Sequence, residues 1–156
     1  MTVPFDYKML IQIRDRAVIQ PEDAMFLRQV SIAKLLDRLY DINRVFSFIL
    51  EIGSFKGKLA NELLAMSPAK HEDNYTLFQM DISKKMSVFA HPSATFIHSS
   101  DMQLSKKIAP CDLILSSQFF QWVNDLPGML IQCRNNLKPN GLLLANFFGG
   151  RTLQEL

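Results

Sequence analysis

The stretch Phe48-Ile49-Leu50-Glu51-Ile52-Gly53-Ser54-Phe55-Lys56-Gly57-Lys58-Leu59-Ala60-Asn61-Glu62-Leu63-Leu64 constrains the fold more than any other. An apolar run ends at Glu51-Ile52, Gly53 and Gly57 bracket a turn, and Leu59, Leu63 and Leu64 recur at helical spacing. This reads as a buried strand, a sharp glycine turn and an amphipathic helix. In open α/β sheets the ligand crevice lies at the carboxyl end of such a strand, at the switch point. Glycines let backbone N–H groups approach a ligand, and the helix N-terminus adds positive potential. The spacing does not fit the dinucleotide fingerprint Gly-x-Gly-x-x-Gly, because three residues separate Gly53 from Gly57.

The 156 residues suit one domain, and a hydrophobic share of 48% argues against disorder. The net charge of +2 is spread along the chain. Lys84-Lys85 and Lys106-Lys107 are pairs rather than a stripe, so nucleic-acid binding is not indicated. No apolar run reaches membrane-spanning length, and Met1-Thr2-Val3-Pro4-Phe5-Asp6 is no secretory signal. Cys111 and Cys133 lack metal-ligand spacing, which points to a reduced, cytoplasmic protein with two inert thiols. His71, His91 and His98 are scattered and suggest no metal site.

Taken in order, residues 5–19 mix apolar and basic side chains and predict a short helix. From Pro21 to Asp41, the residues Met25, Phe26, Val30, Ile32, Ala33, Leu36, Leu39 and Tyr40 predict a second helix with a broad apolar stripe. These leader helices occupy residues 1–43, and residues 44–156 form the core. After the glycine-turn helix, Ser67-Pro68 and 71–74 read as a polar loop. Strands follow at 75–80, 94–97, 112–115 and 142–148, and Ser83 reads as the cap of a short helix. Asn124 or Asp125 opens a helix with Pro127 in its first turn. Alternating strands and helices predict an α/β fold with a parallel sheet of about five strands.

Acidic residues fall at successive strand ends: Glu51 after the first, Asp81 after the second, Asp101 after the third. All three are expected in one crevice. A carboxylate at the end of strand two can accept both hydroxyls of a ribose. Asp101 beside Met102 suits an adenine, the carboxylate taking the exocyclic amine and the thioether packing the ring. Lys56 and Lys58 either attract a ligand carboxylate or are simply solvated. Trp122 either walls a substrate pocket or packs the loop after strand four.

The turn resembles motif I of the class I S-adenosylmethionine (SAM) methyltransferases, acidic-x-Gly-x-Gly-x-Gly, with Glu51, Gly53 and Gly57 matching and Phe55 departing. Asp112 to Pro127, followed by Leu137-Lys138-Pro139-Asn140-Gly141, resembles one branch of that superfamily. The branch includes the biotin-pathway malonyl-carrier-protein methyltransferase and the mitochondrial complex I assembly methyltransferase-like factors. The segment Trp122 to Pro127, the ending Phe148 to Leu156 and the leader Phe5 to Ala17 resemble the assembly factors more closely. The resemblance implies a Rossmann-like sheet of order 3-2-1-4-5 with helices on both faces. It implies SAM as cofactor, leaving S-adenosylhomocysteine (SAH) as product. The cofactor residues it implies are Glu51, Gly53, Ser54, Gly57, Asp81, Ile82, Asp101, Met102 and Ser116, with Gln118 and Trp122 on the substrate side.

Two departures stand out. A Phe55 ring aimed inward would collide with the methionine part of the ligand, and one aimed outward would not. The complete fold of this class also carries a final antiparallel hairpin, absent from this sequence, which reads as a C-terminally truncated member. The apolar strand at 142–148 is therefore expected at a sheet edge, where a second copy or a partner chain would pair. The methyl acceptor is expected to be a small molecule, a carrier-bound group or a protein. The rivals are a catalytically inactive SAM-binding or assembly module and, disfavoured by glycine spacing, a nicotinamide-dependent oxidoreductase.

Overall fold

Two helices precede the first strand. The computed structural model describes residues 4–21, 25–66, 70–104 and 108–150. Helix α1, Tyr7–Ala17, starts at Asp6, whose carboxylate accepts the Lys8 N–H at 2.8 Å and the Met9 N–H at 3.4 Å. Helix α2, Phe26–Tyr40, buries Ile32, Leu35, Leu36 and Leu39. The expected stripe was too broad: Phe26, Val30, Ala33 and Tyr40 are exposed. A period of 3.6 carries Leu35, Leu36 and Leu39 onto the face of Ile32 and turns the other four away from it.

The strands are β1 Phe46–Ile52, β2 His71–Asp81, β3 Ala94–His98, β4 Cys111–Ser117 and β5 Leu137–Asn146. They form one parallel sheet of order β3-β2-β1-β4-β5, as expected. Helix α3, Lys58–Ala65, follows β1, and α4, Leu126–Asn136, follows β4. Asp125 rather than Asn124 caps α4, accepting the Gly128 N–H at 2.9 Å. The side chains of β1 alternate between two cores, which is why the strand reads as a continuous apolar run. Leu50 and Ile52 pack with Leu10 of α1 and with Met129 and Cys133 of α4. Phe46 and Ile49 pack with α2 and α3.

Three local expectations need correction. Residues 71–74 belong to β2 rather than to a loop. His71 is buried, pairs with Phe46 across the sheet, and places Nε2 3.0 Å from the Leu64 carbonyl oxygen. Beside it the buried Lys70 Nζ donates to the Tyr40 oxygen at 2.9 Å and to the Ile42 oxygen, satisfying carbonyls at the end of α2. Ser83 does not cap with its side chain: the segment after it, Lys84–Phe89, is a 3₁₀ helix, and its hydroxyl donates to Asp15 instead. Strand β5 begins at Leu137 with an irregularity around Asn140 and ends at Asn146, so Phe147 and Phe148 lie beyond it and are exposed. β5 is a sheet edge among the described residues. The ending Arg151 to Leu156 and the Lys106-Lys107 pair lie outside the described residues.

Gly53 adopts φ +75°, and a Cβ there would meet the Phe119 ring at 2.3 Å. Gly53→Ala should therefore lower unfolding free energy by about 2–4 kcal/mol in urea, from overpacking and left-handed strain together. Gly149→Ala, where an added Cβ meets nothing within 4 Å, should stay within about 0.5 kcal/mol of the parent.

Candidate functional site

The carboxyl ends of β1 and β2 carry two buried acids. Asp81 is fully buried, and four hydrogen bonds use both of its oxygens. Oδ1 accepts Arg14 Nε at 3.0 Å and the Ser83 N–H at 2.9 Å. Oδ2 accepts Arg14 Nη2 at 2.5 Å and the Phe55 N–H at 2.9 Å. Arg14 reaches this position because Leu10, Arg14 and Ala17 share the buried face of α1. Its Nη2 also lies 3.4 Å from the Gly53 carbonyl oxygen.

Glu51 ends β1 on the face shared with α2 and α3. Its Oε2 accepts Gln79 Nε2 at 2.7 Å, and Gln79 Oε1 in turn accepts the His91 N–H at 2.7 Å. Burial pushes the Glu51 carboxyl up to about 7, against the opposing pull of the Gln79 hydrogen bond and the Arg28 charge. Glu51 stands in the wall of a cavity of about 270 Å³ between α2 and α3, with Arg28, Gln29, Ser54, Lys56 and Lys58 around it. Arg28 donates to the carbonyl oxygens of Ser117 at 3.1 Å and Gln118 at 3.4 Å. Burial lowers its pKa to about 10, and it remains a cation at neutral pH.

Phe55 answers the question of its direction in a third way. Its ring is 7% exposed and is in cation–π contact with two guanidiniums, Arg14 at 5.1 Å and Arg28 at 4.5 Å from the centroid. It packs with Ala17 of α1 and Met86 of the 3₁₀ helix. The ring thus joins the leader helices to the glycine turn.

The glycine turn is built differently from the expectation of free N–H groups. The Gly53 and Ser54 N–H groups donate to the Met80 oxygen at 2.8 and 3.0 Å, and the Gly57 N–H donates to the Ser54 oxygen at 2.8 Å. A Cβ at Gly57 would stand 2.3 Å from the Phe89 oxygen. Both glycines are therefore required by close approach of the protein itself.

Of the remaining expected residues, Ile82 and Met102 are buried in one cluster with Phe78. Ser116 is buried and donates to the Ile52 oxygen at 2.9 Å, tying β4 to the end of β1. Asp101 does not join Glu51 and Asp81. Its exposed carboxylate accepts the Ser99 hydroxyl at 3.0 Å and the Gln103 N–H at 3.2 Å, closing its own loop beside a separate open cavity lined by Phe78 and Thr95. Gln118 Nε2 donates to the Leu27 oxygen at 3.1 Å and to the Ser31 hydroxyl at 2.5 Å, clamping α2 over the end of β4. Trp122 takes part in both a ring contact and a cavity wall. It meets the Phe5 ring edge-on at 5.5 Å and lines a cavity of about 380 Å³ with Arg14, Phe26 and Phe148. In the same wall, Gln121 Oε1 is a buried acceptor without a partner among the described residues.

Sequence reasoning missed Arg14, Arg28 and Gln79. The signal was present for each. Arg14 shares the helical face of Leu10 and Ala17, and Arg28 stands four residues before Ile32 and seven before Leu35. Gln79 is a polar residue inside an apolar strand. A charge or amide in such a position requires a buried partner.

A five-stranded parallel sheet with two acids at the ends of its central strands defines a Rossmann-like nucleotide-site architecture. The family model described as "Methyltransferase domain" matches residues 50–145. The chain belongs to that family, in the class I SAM methyltransferase superfamily. It is 34% identical over 159 residues to the rat (Rattus norvegicus) protein named "Arginine-hydroxylase NDUFAF5, mitochondrial", covering 97% of this chain and 44% of the relative. It is 35% identical over 118 residues to a malonyl-[acyl-carrier protein] O-methyltransferase of Halalkalibacterium halodurans, covering 69% of this chain and 41% of that protein. The chain therefore spans less than half the length of these relatives. Among solved structures, the N-methyltransferase NodS of Bradyrhizobium japonicum, in complex with SAH, superposes with a TM-score of 0.69 at 18% identity. That match covers 86% of this chain and 71% of NodS, and it is a likeness of fold. No described helix is long and apolar enough to cross a membrane.

The raised carboxyl makes a signed prediction. Native Glu51 holds a proton that the unfolded chain releases near its ordinary value of 4.5. The stabilisation from the neutral form is complete below that value and is lost as pH rises to about 7. Relative to Glu51→Gln, which keeps an acceptor for Gln79 but does not titrate, the parent should lose on the order of 2–3 kcal/mol between pH 4.5 and 7.5. Urea melts of both proteins across that range measure it, and parallel curves would refute it.

Proposed function

We propose that this chain binds SAM across the ends of β1 and β2, and that the protein it forms transfers the methyl group to an acceptor, releasing SAH. One observation carries the reading. The cavity at Glu51 sets an acid against Arg28, Lys56 and Lys58, which suits the ammonium and carboxylate of an amino acid. Asp81 stands at the end of the adjacent strand, where a ribose would follow.

In this reading Glu51 takes the ammonium and Arg28 or Lys58 the carboxylate. Gly53, Ser54 and Gly57 wrap the amino-acid part. Asp81 takes the ribose hydroxyls, and Ile82 and Met102 flank the adenine. Asp101 would have to leave its present loop partners to reach the exocyclic amine. Ser116, engaged on Ile52, serves by holding the end of β1 in place. The donor set fits the ligand in chemistry, provided Asp81 is freed from its present partners. When bound, SAM supplies an electrophilic methyl on a sulfonium, and transfer requires mainly alignment with the nucleophile. The chain's residues therefore hold and orient. Gln118 fixes the wall of the acceptor side, Trp122 lines it, and Gln121 Oε1 offers it an unpaired acceptor.

The acceptor class follows the relatives: a carrier-bound acyl group, a small molecule or a protein side chain. The division into leader (1–43) and core (44–156), and a cytoplasmic location, belong to the same proposal. The rat relative's name places that protein in mitochondria. A second reading, a SAM-binding or assembly module without catalysis, is favoured by the saturation of Asp81. We also propose that further chain, either a second copy or the rest of a longer polypeptide, pairs along β5. Leu142 to Ala145 are only half-buried there, and Phe147 and Phe148 are exposed.

Titration calorimetry at pH 8 with SAM, SAH and NAD tests the ligand. SAM and SAH should bind and NAD should not. Glu51→Gln should weaken SAM by about 1–2 kcal/mol, the worth of a charge-assisted hydrogen bond. No binding of SAM at millimolar concentration would sink the reading.

A further inference from the structure

Asp81 has no free valence for a ligand. A carboxylate offers about four lone-pair positions, and all four are in use. Two come from backbone N–H groups of the turns that shape the site, and those are fixed by the fold. The other two come from Arg14, a side chain on a separate helix. A guanidinium edge and a vicinal diol present the same pattern to a carboxylate: two parallel donors for two oxygens. Arg14 Nη2 also approaches the Gly53 carbonyl oxygen, at the start of the glycine turn.

We propose that Arg14 is an internal competitor for the nucleoside part of the ligand, so that α1 is a cap whose latch must open before a ribose reaches Asp81. This rests on the SAM-binding reading above. Three further observations support it. First, the cavity is one-sided. It is open at Glu51, between α2 and α3, and Asp81 does not line it. The Glu51 cavity, as it stands, does not extend to the Asp81 carboxylate. Second, the ligand of that reading carries a sulfonium and an ammonium. Arg14 and Arg28 already sit over the Phe55 ring. A cationic ligand entering next to these guanidiniums is repelled by them, and the withdrawal of Arg14 lessens that repulsion.

Third, α1 is attached in a way that permits such a movement. Its start is pinned by Asn124: Phe5 N–H donates to Asn124 Oδ1 at 2.8 Å, Asn124 Nδ2 to the Phe5 oxygen at 2.9 Å, and Asn124 N–H to the Tyr7 hydroxyl at 3.0 Å. Its later half is held by Ala17 against Phe55 and Met86 and by polar contacts, Arg14 to Asp81 and Asp15 to Ser83 and Lys85. Leu10 and Ala17 are buried and Tyr7 and Ile11 pack on the core, while Met9 and Ile13 are more than half exposed. Release of Arg14 leaves the helix tethered at its first turn.

The test separates the two ends of the ligand. Affinities of SAM, adenosine and L-methionine would be measured for the parent chain and for Arg14→Met, which keeps the stem and removes the guanidinium. SAM and adenosine should tighten at least tenfold, and methionine should change less than twofold. SAM binding to both proteins with equal affinity, or equal tightening of all three ligands, would overturn the latch while leaving the SAM reading intact. No SAM binding by either protein at millimolar concentration would overturn both. Should Arg14→Met fail to fold, hydrogen–deuterium exchange on the parent decides. Saturating SAM should speed exchange along Tyr7–Ala17 while slowing it at residues 53–57. Protection of α1 by SAM would refute the proposal.

Discussion

A carboxylate with no access to water needs a cation or a full set of donors, and Asp81 has both. Much of the molecule is arranged around that requirement. The Phe55 and Ser83 N–H groups converge on it only because the chain turns sharply after β1 and again after β2. Arg14 reaches it only because α1 lies across the strand ends with Leu10 and Ala17 facing inward. Removing one partner of such a pair costs about 3–5 kcal/mol, because the other charge stays buried and unpaired. The pair therefore ties the leader helix to the core, although the two are far apart in sequence.

Phe55 shows how one side chain changes the meaning of a motif. With glycine at that position the turn would carry no ring. With phenylalanine, the ring becomes the surface on which Arg14 and Arg28 rest, and it brings Ala17 and Met86 against it. Arg28 then serves the other side. It reaches the carbonyls after β4 and faces the Glu51 cavity, so its charge acts on Glu51 across that space. The two acids thereby have different surroundings. Asp81 is matched by a contacting guanidinium, while Glu51 has an amide partner and a distant cation. Burial dominates at Glu51 for that reason.

The architecture was legible because strands β1 and β4 are apolar on both faces, which only a covered parallel sheet requires. The strand-end positions of Glu51 and Asp81 followed from the same pattern. The partnerships were harder to read. That Asp81 would be met by a side chain 67 residues earlier depends on how α1 crosses the sheet, which periodicity does not encode. The buried-face arginines were nonetheless a sign that some acid had to be waiting. The turn that Asp101 closes with Ser99 and Gln103 was not legible either, because a strand-end carboxylate looks alike in sequence whatever its partners are. The 71–74 segment misled because its polar residues suggested a loop, whereas backbone pairing and the buried His71 extend β2 through it.

Backbone strain in the molecule has a location. Of the four non-glycine residues with positive φ among the described residues, Phe55, Met102 and Gln118 stand in the turns after β1, β3 and β4, and the fourth, Asn140, marks the irregularity in β5. Each left-handed residue costs on the order of 1 kcal/mol or more and persists only where its surroundings demand it. The demands here can be named: contact with two guanidiniums for Phe55, a buried apolar seat for Met102, and a clamp onto α2 for Gln118. All three side chains are buried, so packing and hydrogen bonds offset the strain residue by residue. The strained turns ring the same end of the sheet as Glu51 and Asp81. A protein that needed only a stable sheet could have used glycine or asparagine there at less cost. Bulky side chains in left-handed turns fix the direction of each turn tightly, as a site requires when its acids must keep their positions while a cap above them moves.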